Sequence, residues 1–342
     1  MIDFQKFKAQ SRFGGLDGLR AISIVAVVWH HTATGPLFFS RGFLGVDLFF
    51  VISGFLIVSL LLREQDRSGS ISLSGFYKRR ALRILPAYAA MLLIVAGTAL
   101  ISRSAQPAVW HDLPYAVFFI SNFAAMQSML SITWSLSAEE QFYSAIPAII
   151  KRFRQSIWVI IPGILIASAA TSLLSPAWAP GFFKGATFFP IVAGAILAII
   201  LNNEEGYRSA RSLLQFPLVA GAIVVLLASI PVADISGIVR IAIQIGMTLL
   251  VGSCVLSDRI GQMPVLDRIG KVSYGIYLYH LICQHFALKV FPEGIPLFAL
   301  TLALAWMAAE LSYAILERPA LRLKDQSMGG TAAIPTQPDT AY

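Results

Sequence analysis

Apolar runs of about twenty residues, separated by short polar or charged stretches, recur from one end of the 342-residue chain to the other. A hydrocarbon core about 30 Å thick takes roughly 20 residues of helix, so runs of this length predict membrane-spanning helices; barrel strands would be shorter and would alternate. The pattern places spans at 18–36, 42–62, 84–102, 113–150, 157–175, 186–201, 214–231, 238–257, 274–291 and 297–316. The fourth is too long for one crossing and carries Asn122, Gln127 and a polar run from Thr133 to Ser137. It reads as a broken or re-entrant segment followed by a crossing helix from about Ser137, because irregular backbone at depth survives only where protein or a water-filled cavity covers it. The expectation is an all-α polytopic transmembrane bundle of about ten spans with both termini cytoplasmic. One membrane domain over 1–320 precedes a tail, 321–342, rich in Gly, Pro, Thr and Gln and expected to lack regular structure. The first sixteen residues are polar and basic, and no small-residue cleavage site follows, so no cleavable signal peptide is expected.

Composition supports the same class: 57% of residues are hydrophobic, 13% are charged and the mean hydropathy is +0.72, which excludes an ordinary soluble domain. The net charge of +8 would suggest nucleic acid in a soluble protein. Here 21 of the 26 Lys and Arg residues fall on the cytoplasmic side of the predicted topology, which leaves Arg41, Arg103, Lys184, Arg240 and Lys289 outside. That is the positive-inside distribution, and nucleic acid is not expected as a partner. Cys254 and Cys283 lie inside apolar runs and read as packing residues, with no metal site predicted.

Against this apolar background a few ionisable residues stand out. In LDGLRAISIVAVVWHHT, residues 16–32, Arg20 and His31 are eleven steps apart. At 100° per residue that is about 20° past three turns, so both share one helical face, about 16 Å apart along the axis. Charged groups within a span are costly and by default mark a pore or pocket. His31 is the best placed general base or acyl acceptor; a bland helix–helix hydrogen bond is the alternative. Asp47, inside the second span, needs a partner, and His31 or Arg41 stands at a suitable depth. Lys78, Arg79, Arg80 and Arg83 crowd the cytoplasmic entry to the third span, as a lipid anchor or a phosphate clamp. Glu139 and Glu140 follow the aromatic turn of TWSLSAEEQFY; adjacent carboxylates diverge on a helix, so one, preferably Glu139, is expected to face the cavity. His280 and His285 suit helix hydrogen bonding, and Glu310 suits an ion pair inside the last span.

These segments together resemble the acyltransferase-3 family of bacterial integral membrane acyltransferases. The resemblance rests on the Arg20 and His31 pair within LDGLRAISIVAVVWHH, GFLGVDLFFVISGFLI, Arg80 and Arg83 in FYKRRALRILPAY, TWSLSAEEQFY, SYGIYLYHL and a terminal LERP, in this order from residue 16 to residue 319. It implies a ten-helix acyltransferase domain in the bacterial inner membrane, moving an acyl group, most commonly acetyl, from cytoplasmic acyl-CoA to a hydroxyl of an extracytoplasmic glycan or polysaccharide precursor. Some relatives add an extracytoplasmic esterase-like domain; none is expected here, so the membrane domain is expected to complete the transfer itself or hand the group to a polysaccharide assembly partner. On this reading CoA phosphates meet Lys78, Arg79, Arg80 and Arg83, the pantetheine arm passes Arg20, and the thioester reaches His31, with Glu139 or Asp47 orienting the imidazole. General-base and acyl-histidine routes both remain open. A proton-coupled transporter or flippase using His31, Asp47 and Glu139 as a relay is the rival; its expected inverted repeats are not evident.

Overall fold

The computed structural model describes residues 2–10, 13–32, 41–103, 105–174, 187–231, 235–257 and 263–327. All regular structure among them is helical. In chain order the helices are α1 Phe4–Ala9, α2 Gly14–Thr32, α3 Leu44–Ser68, α4 Leu73–Ile101, α5 Gln106–Val117, α6 Thr133–Arg152, α7 Ile157–Leu174, α8 Phe189–Asn202, α9 Glu204–Leu213, α10 Pro217–Ala228, α11 Gly237–Leu256, α12 Pro264–Lys271, α13 Ser273–Ala287, α14 Gly294–Ser312 and α15 Arg318–Ser327. Each predicted span holds a helix. Among the described residues five helices, α3, α4, α7, α11 and α14 with its continuation, are long and apolar enough to cross a membrane. The segment 113–150 is broken as its polar residues require: α5 ends at Val117, two 3₁₀ turns follow at Ser121–Phe123 and Met129–Ile132, and α6 then runs without interruption. The helix α15 carries regular structure into the predicted tail as far as Ser327; residues 328–342 lie outside the described residues.

The centre of the bundle is α3, whose apolar stretch is almost wholly buried. It can approach α8 backbone to backbone because each contributes a glycine at the crossing. A Cβ on Gly54 would stand 1.9 Å from the Ile191 carbonyl oxygen, and one on Gly194 would stand 2.1 Å from that of Val51. Small residues at such crossings substitute close van der Waals packing for a hydrophobic drive that lipid does not supply.

One end of the bundle is closed by the amino-terminal segment. Asp3 caps α1 through the Lys6 amide, Phe7 is buried, and the Tyr207 hydroxyl donates to the Ile2 carbonyl at 2.7 Å. Buried Arg63, at the same end of α3, donates to the carbonyls of Phe7 and Gln10 at 2.9 and 2.7 Å and lies over the rings of Phe7 and Phe13. Opposite α3, α13 is stitched to α4 by two tyrosine hydroxyls that donate to carbonyls flanking Pro86: Tyr274 to Ile84 at 3.0 Å and Tyr279 to Ala87 at 3.4 Å. These contacts fix the helices that surround the polar interior.

The irregular stretch between α5 and α6 is built around one carboxylate. Asp112, fully buried, accepts from the amides of Gln127 and Ser128, the Ser128 hydroxyl and His111. Phe119, the non-glycine residue with positive φ (53°) in the chain's described part, is held by a Gln141 hydrogen bond to its carbonyl at 2.9 Å and by stacking on Tyr88 at 4.7 Å. The α6 start is thereby fixed, and with it the two glutamates about two turns later.

Candidate active site

Five helices, α2, α3, α4, α6 and α13, enclose a cavity of about 100 Å³. Its charged lining is three guanidiniums, Arg20, Arg80 and Arg83, and two carboxylates, Glu139 and Glu140. Both glutamates therefore face the cavity, where the sequence predicted only one. The helix α6 is surrounded on more than one side by cavity-lining helices, so the 100° between neighbouring side chains does not take either out of the polar space. Glu139 accepts a hydrogen bond from the Ser53 hydroxyl at 2.7 Å, and Arg80 and Arg20 act on it electrostatically. The Arg80 guanidinium lies 4.6 Å above the Tyr143 ring, a contact that orients a planar cation without consuming its donors. Arg20 has Asp17 one turn away at 3.9 Å. Arg83 is flanked by the buried Glu317. At the far wall the Tyr277 hydroxyl bonds Ser135 at 2.7 Å and donates to the Ile132 carbonyl at 2.9 Å.

His31 does not line this cavity. It stands at the exposed carboxyl-terminal end of α2, beyond two rings: Tyr277 lies 5.7 Å from His280, and His280 lies 5.0 Å from His31, measured between centroids. His31 Nδ1 is 2.9 Å from the Val27 carbonyl oxygen. A carbonyl can only accept, so Nδ1 carries the proton and Nε2 of the neutral ring holds the lone pair. His280 repeats the arrangement against the Tyr277 carbonyl of its own helix at 2.6 Å, and its buried Nε2 has no hydrogen-bond partner among the described residues. The sequence contains no signal that these two imidazoles meet; only the packing of α13 against α2 brings them together. Gln284, a turn further along α13, donates to the His31 carbonyl. His285 lies exposed beside Phe286.

Several predicted groupings are not brought together. Asp47 meets neither His31 nor Arg41: its two oxygens accept from Arg240 at 2.9 and 3.0 Å, and Gln244 adds a third bond at 3.0 Å. Arg41 instead donates to the carbonyls of Ala228 and Ile230. Asp47 thus ties α3 to α11, and the imidazole of His31 is oriented by a backbone carbonyl where a carboxylate was expected. The four cations entering α4 also divide. Arg80 and Arg83 face the cavity, whereas Arg79 pairs with Glu64 at 3.0 Å and Lys78 is exposed. Glu310 does pair, with Arg268 of α12. Both cysteines are buried and free. The groups a proton relay would need, His31, Asp47 and Glu139, are each bonded to other partners among the described residues.

Comparison with known sequences gives a consistent picture. The acyltransferase-domain family pattern matches residues 13–316. A Staphylococcus aureus (strain COL) protein named "Putative O-acetyltransferase SACOL0978" is 32% identical over 92% of this chain and 58% of its own length. The peptidoglycan O-acetyltransferase OatA of Listeria monocytogenes is 29% identical over 89% of this chain and 55% of its own. The O-acetyltransferase OatA of Staphylococcus aureus (strain NCTC 8325 / PS 47) is 29% identical, with 89% and 56% covered. The chain thus spans somewhat more than half the length of these relatives. No solved structure matches it.

Proposed function

The chain belongs to the acyltransferase-3 family, and from that premise we propose that it is an O-acyltransferase that moves an acyl group, acetyl in the first instance, from a cytoplasmic acyl-CoA to a hydroxyl of an extracytoplasmic glycan. In this reading the ten predicted spans cross the bacterial cytoplasmic membrane with both ends inside, as the Lys and Arg distribution favours. One relative is by name a peptidoglycan O-acetyltransferase, and a cell-envelope sugar hydroxyl is the acceptor class we assign.

The observation that carries the proposal is the line of polar groups from Arg20, Arg80 and Arg83 through Tyr277 and His280 to His31. The cavity offers guanidinium donors, carboxylate acceptors and hydroxyls in a confined, mostly apolar shell. That set suits an arm carrying amides and a thioester, and it limits water at the thioester. At the outer end His31 Nε2 takes the proton of the acceptor hydroxyl as its oxygen attacks the thioester carbonyl carbon. The C–O bond forms, the C–S bond breaks, and the thiolate of CoA leaves and is protonated. The Val27 carbonyl holds the required tautomer, and His280 packs edge-on against the ring as a positioning residue. Arg20, Arg80, Arg83 and Glu139 bind and align the donor.

Purified protein in vesicles with radiolabelled acetyl-CoA on the cytoplasmic side and a soluble muropeptide outside tests this. His31→Ala is expected to keep its melting temperature and to lose transfer by about 10²–10⁴-fold, the usual contribution of a general base. A folded His31→Ala protein with undiminished transfer overturns the assignment.

A further inference from the structure

A second cavity, of about 320 Å³, lies between α12, the end of α14 and α15. It falls at the lower end of the range for small-molecule sites, about 300–1,000 Å³. Its lining is Arg268, Lys271, Glu310, Tyr313, Ala314 and Arg318: three cations against one carboxylate. Glu310 is already engaged by Arg268, which leaves the site with excess positive charge. Neither Lys271 nor Arg318 has a hydrogen-bond or ion-pair partner among the described residues, although Lys271 is partly buried. Two unpaired cations in a concave site, one of them partly buried, fit an anion that arrives from outside the chain.

The two cavities share a wall. Lys271 lines the outer one, while Ser273 and Tyr274, at the start of the next helix, line the inner one. Tyr313 lines the outer cavity and acts electrostatically on Arg83, which lines the inner. In this wall the chain forms a π-turn, Tyr313–Glu317. The wide turn presents Tyr313 and Ala314 to the outer cavity and leaves Glu317 buried near Arg83. Single π-turns within helices are rare and concentrate at functional sites.

We propose that this outer cavity seats the phosphate-bearing nucleotide end of the donor, with Lys271 and Arg318 contacting its phosphates, while the arm passes the Tyr313 and Arg83 wall into the inner cavity. The proposal rests on the acyl-CoA reading above and supplies what that reading lacks. Lys78 and Arg79, the remaining cations expected at a phosphate clamp, do not line the inner cavity: Lys78 is exposed and Arg79 pairs with Glu64.

The test compares acetyl-CoA with S-acetylpantetheine, which carries the same thioester but no phosphate, in nanodiscs of zwitterionic lipid. The ratio of the two kcat/KM values measures the contribution of the phosphates and is insensitive to the fraction of protein folded. In Arg318→Gln, an exposed position, and in Lys271→Ala the preference for acetyl-CoA is expected to fall at least tenfold, and Lys271→Arg is expected to retain most of it. A preference unchanged in Arg318→Gln and Lys271→Ala overturns the subsite. So does a loss equal in the Ala and Arg variants at 271, or an effect of these substitutions only on association with phosphatidylglycerol nanodiscs, which would make the cavity a lipid headgroup seat. If the unsubstituted protein uses neither thioester, the acyl-CoA reading itself fails; acetyl-CoA used equally by all variants removes only the subsite.

Discussion

Asp47 illustrates how a single residue changes meaning once its partners are known. A carboxylate within a span signals function by default, yet the hydrogen bonds that Asp47 accepts come from Arg240 and Gln244. The Asp47 side chain is fully buried and that of Arg240 is about one-fifth exposed, so removing one partner strands a charge in a dry environment. Asp47→Ala is expected to cost about 3 kcal/mol, in the range found when buried pairs are broken. In a double-mutant cycle Asp47→Ala and Arg240→Met together are expected to cost less than the two single costs added. Thermal melts of the three variants in detergent measure this. Specific activity per folded molecule is expected to change far less than in His31→Ala; a loss as large would return Asp47 to the reacting groups. The partner was not legible in the sequence because it lies 193 residues away, and nothing in either local pattern selects Arg240 over Arg41. By contrast Arg20, Arg80, Arg83 and Glu139 were legible, since charge in an apolar helix has few places to go. That Glu140 joins them depends on which helices surround α6, which no local pattern records.

At the scale of elements, helix existence follows from apolar length and helix contact follows from small residues. The Gly54 and Gly194 pair leaves no room for a methyl group, because the atoms in the way are backbone carbonyls on the partner helix. Gly54→Ala and Gly194→Ala are each expected to separate α3 from α8 and to lower the melting temperature markedly, since overpacking of this kind costs about 1–3 kcal/mol. Gly97→Ala in α4, where nothing lies within 4 Å, is the control and is expected to be neutral or to stabilise by about 0.5–1 kcal/mol through helix propensity. Equal effects at the three positions would contradict the close crossing. The connection between α5 and α6 depends instead on a charge. Burial alone would push Asp112 up, but the bonds from His111, Ser128 and Gln127 outweigh it and hold the carboxyl below its ordinary value. A depressed carboxyl stabilises the fold above its unfolded value, about pH 3.9, and loses that contribution as pH falls through the lower folded value. The stability gap between the unsubstituted protein and Asp112→Asn is therefore expected to be constant near neutral pH and to close below about pH 4. Melting curves from pH 7 to 3 check this; a gap independent of pH would remove the carboxylate from the role.

For the whole molecule, the proposed direction of transfer depends on which face holds the basic cavity and which holds His31. Lys271, Arg318 and the α9 residues Arg208 and Arg211 belong to the face with most of the positive charge, while Arg103 and the exposed end of α2 belong to the other. Cytoplasmic retention of Lys and Arg sets orientation at insertion, so the face carrying the donor cavity is expected inside and His31 outside. Labelling can read this directly, because the two native cysteines, Cys254 and Cys283, are buried and contribute little background. Arg103→Cys and Arg208→Cys both replace exposed side chains. In intact spheroplasts a membrane-impermeant maleimide is expected to label Arg103→Cys at once and Arg208→Cys only after permeabilisation. The reverse pattern would place the anion-binding cavity outside, away from cytoplasmic CoA, and would leave His31 facing the donor compartment. Labelling of both from outside would mean that an even number of crossings separates the two positions, and the segment between α5 and α6 would then have to re-enter from the face it left. The orientation thus decides between a transferase that carries an acyl group across the bilayer and one that works on a single side, because the geometry joining Arg20 to His31 has a direction only when the membrane gives it one.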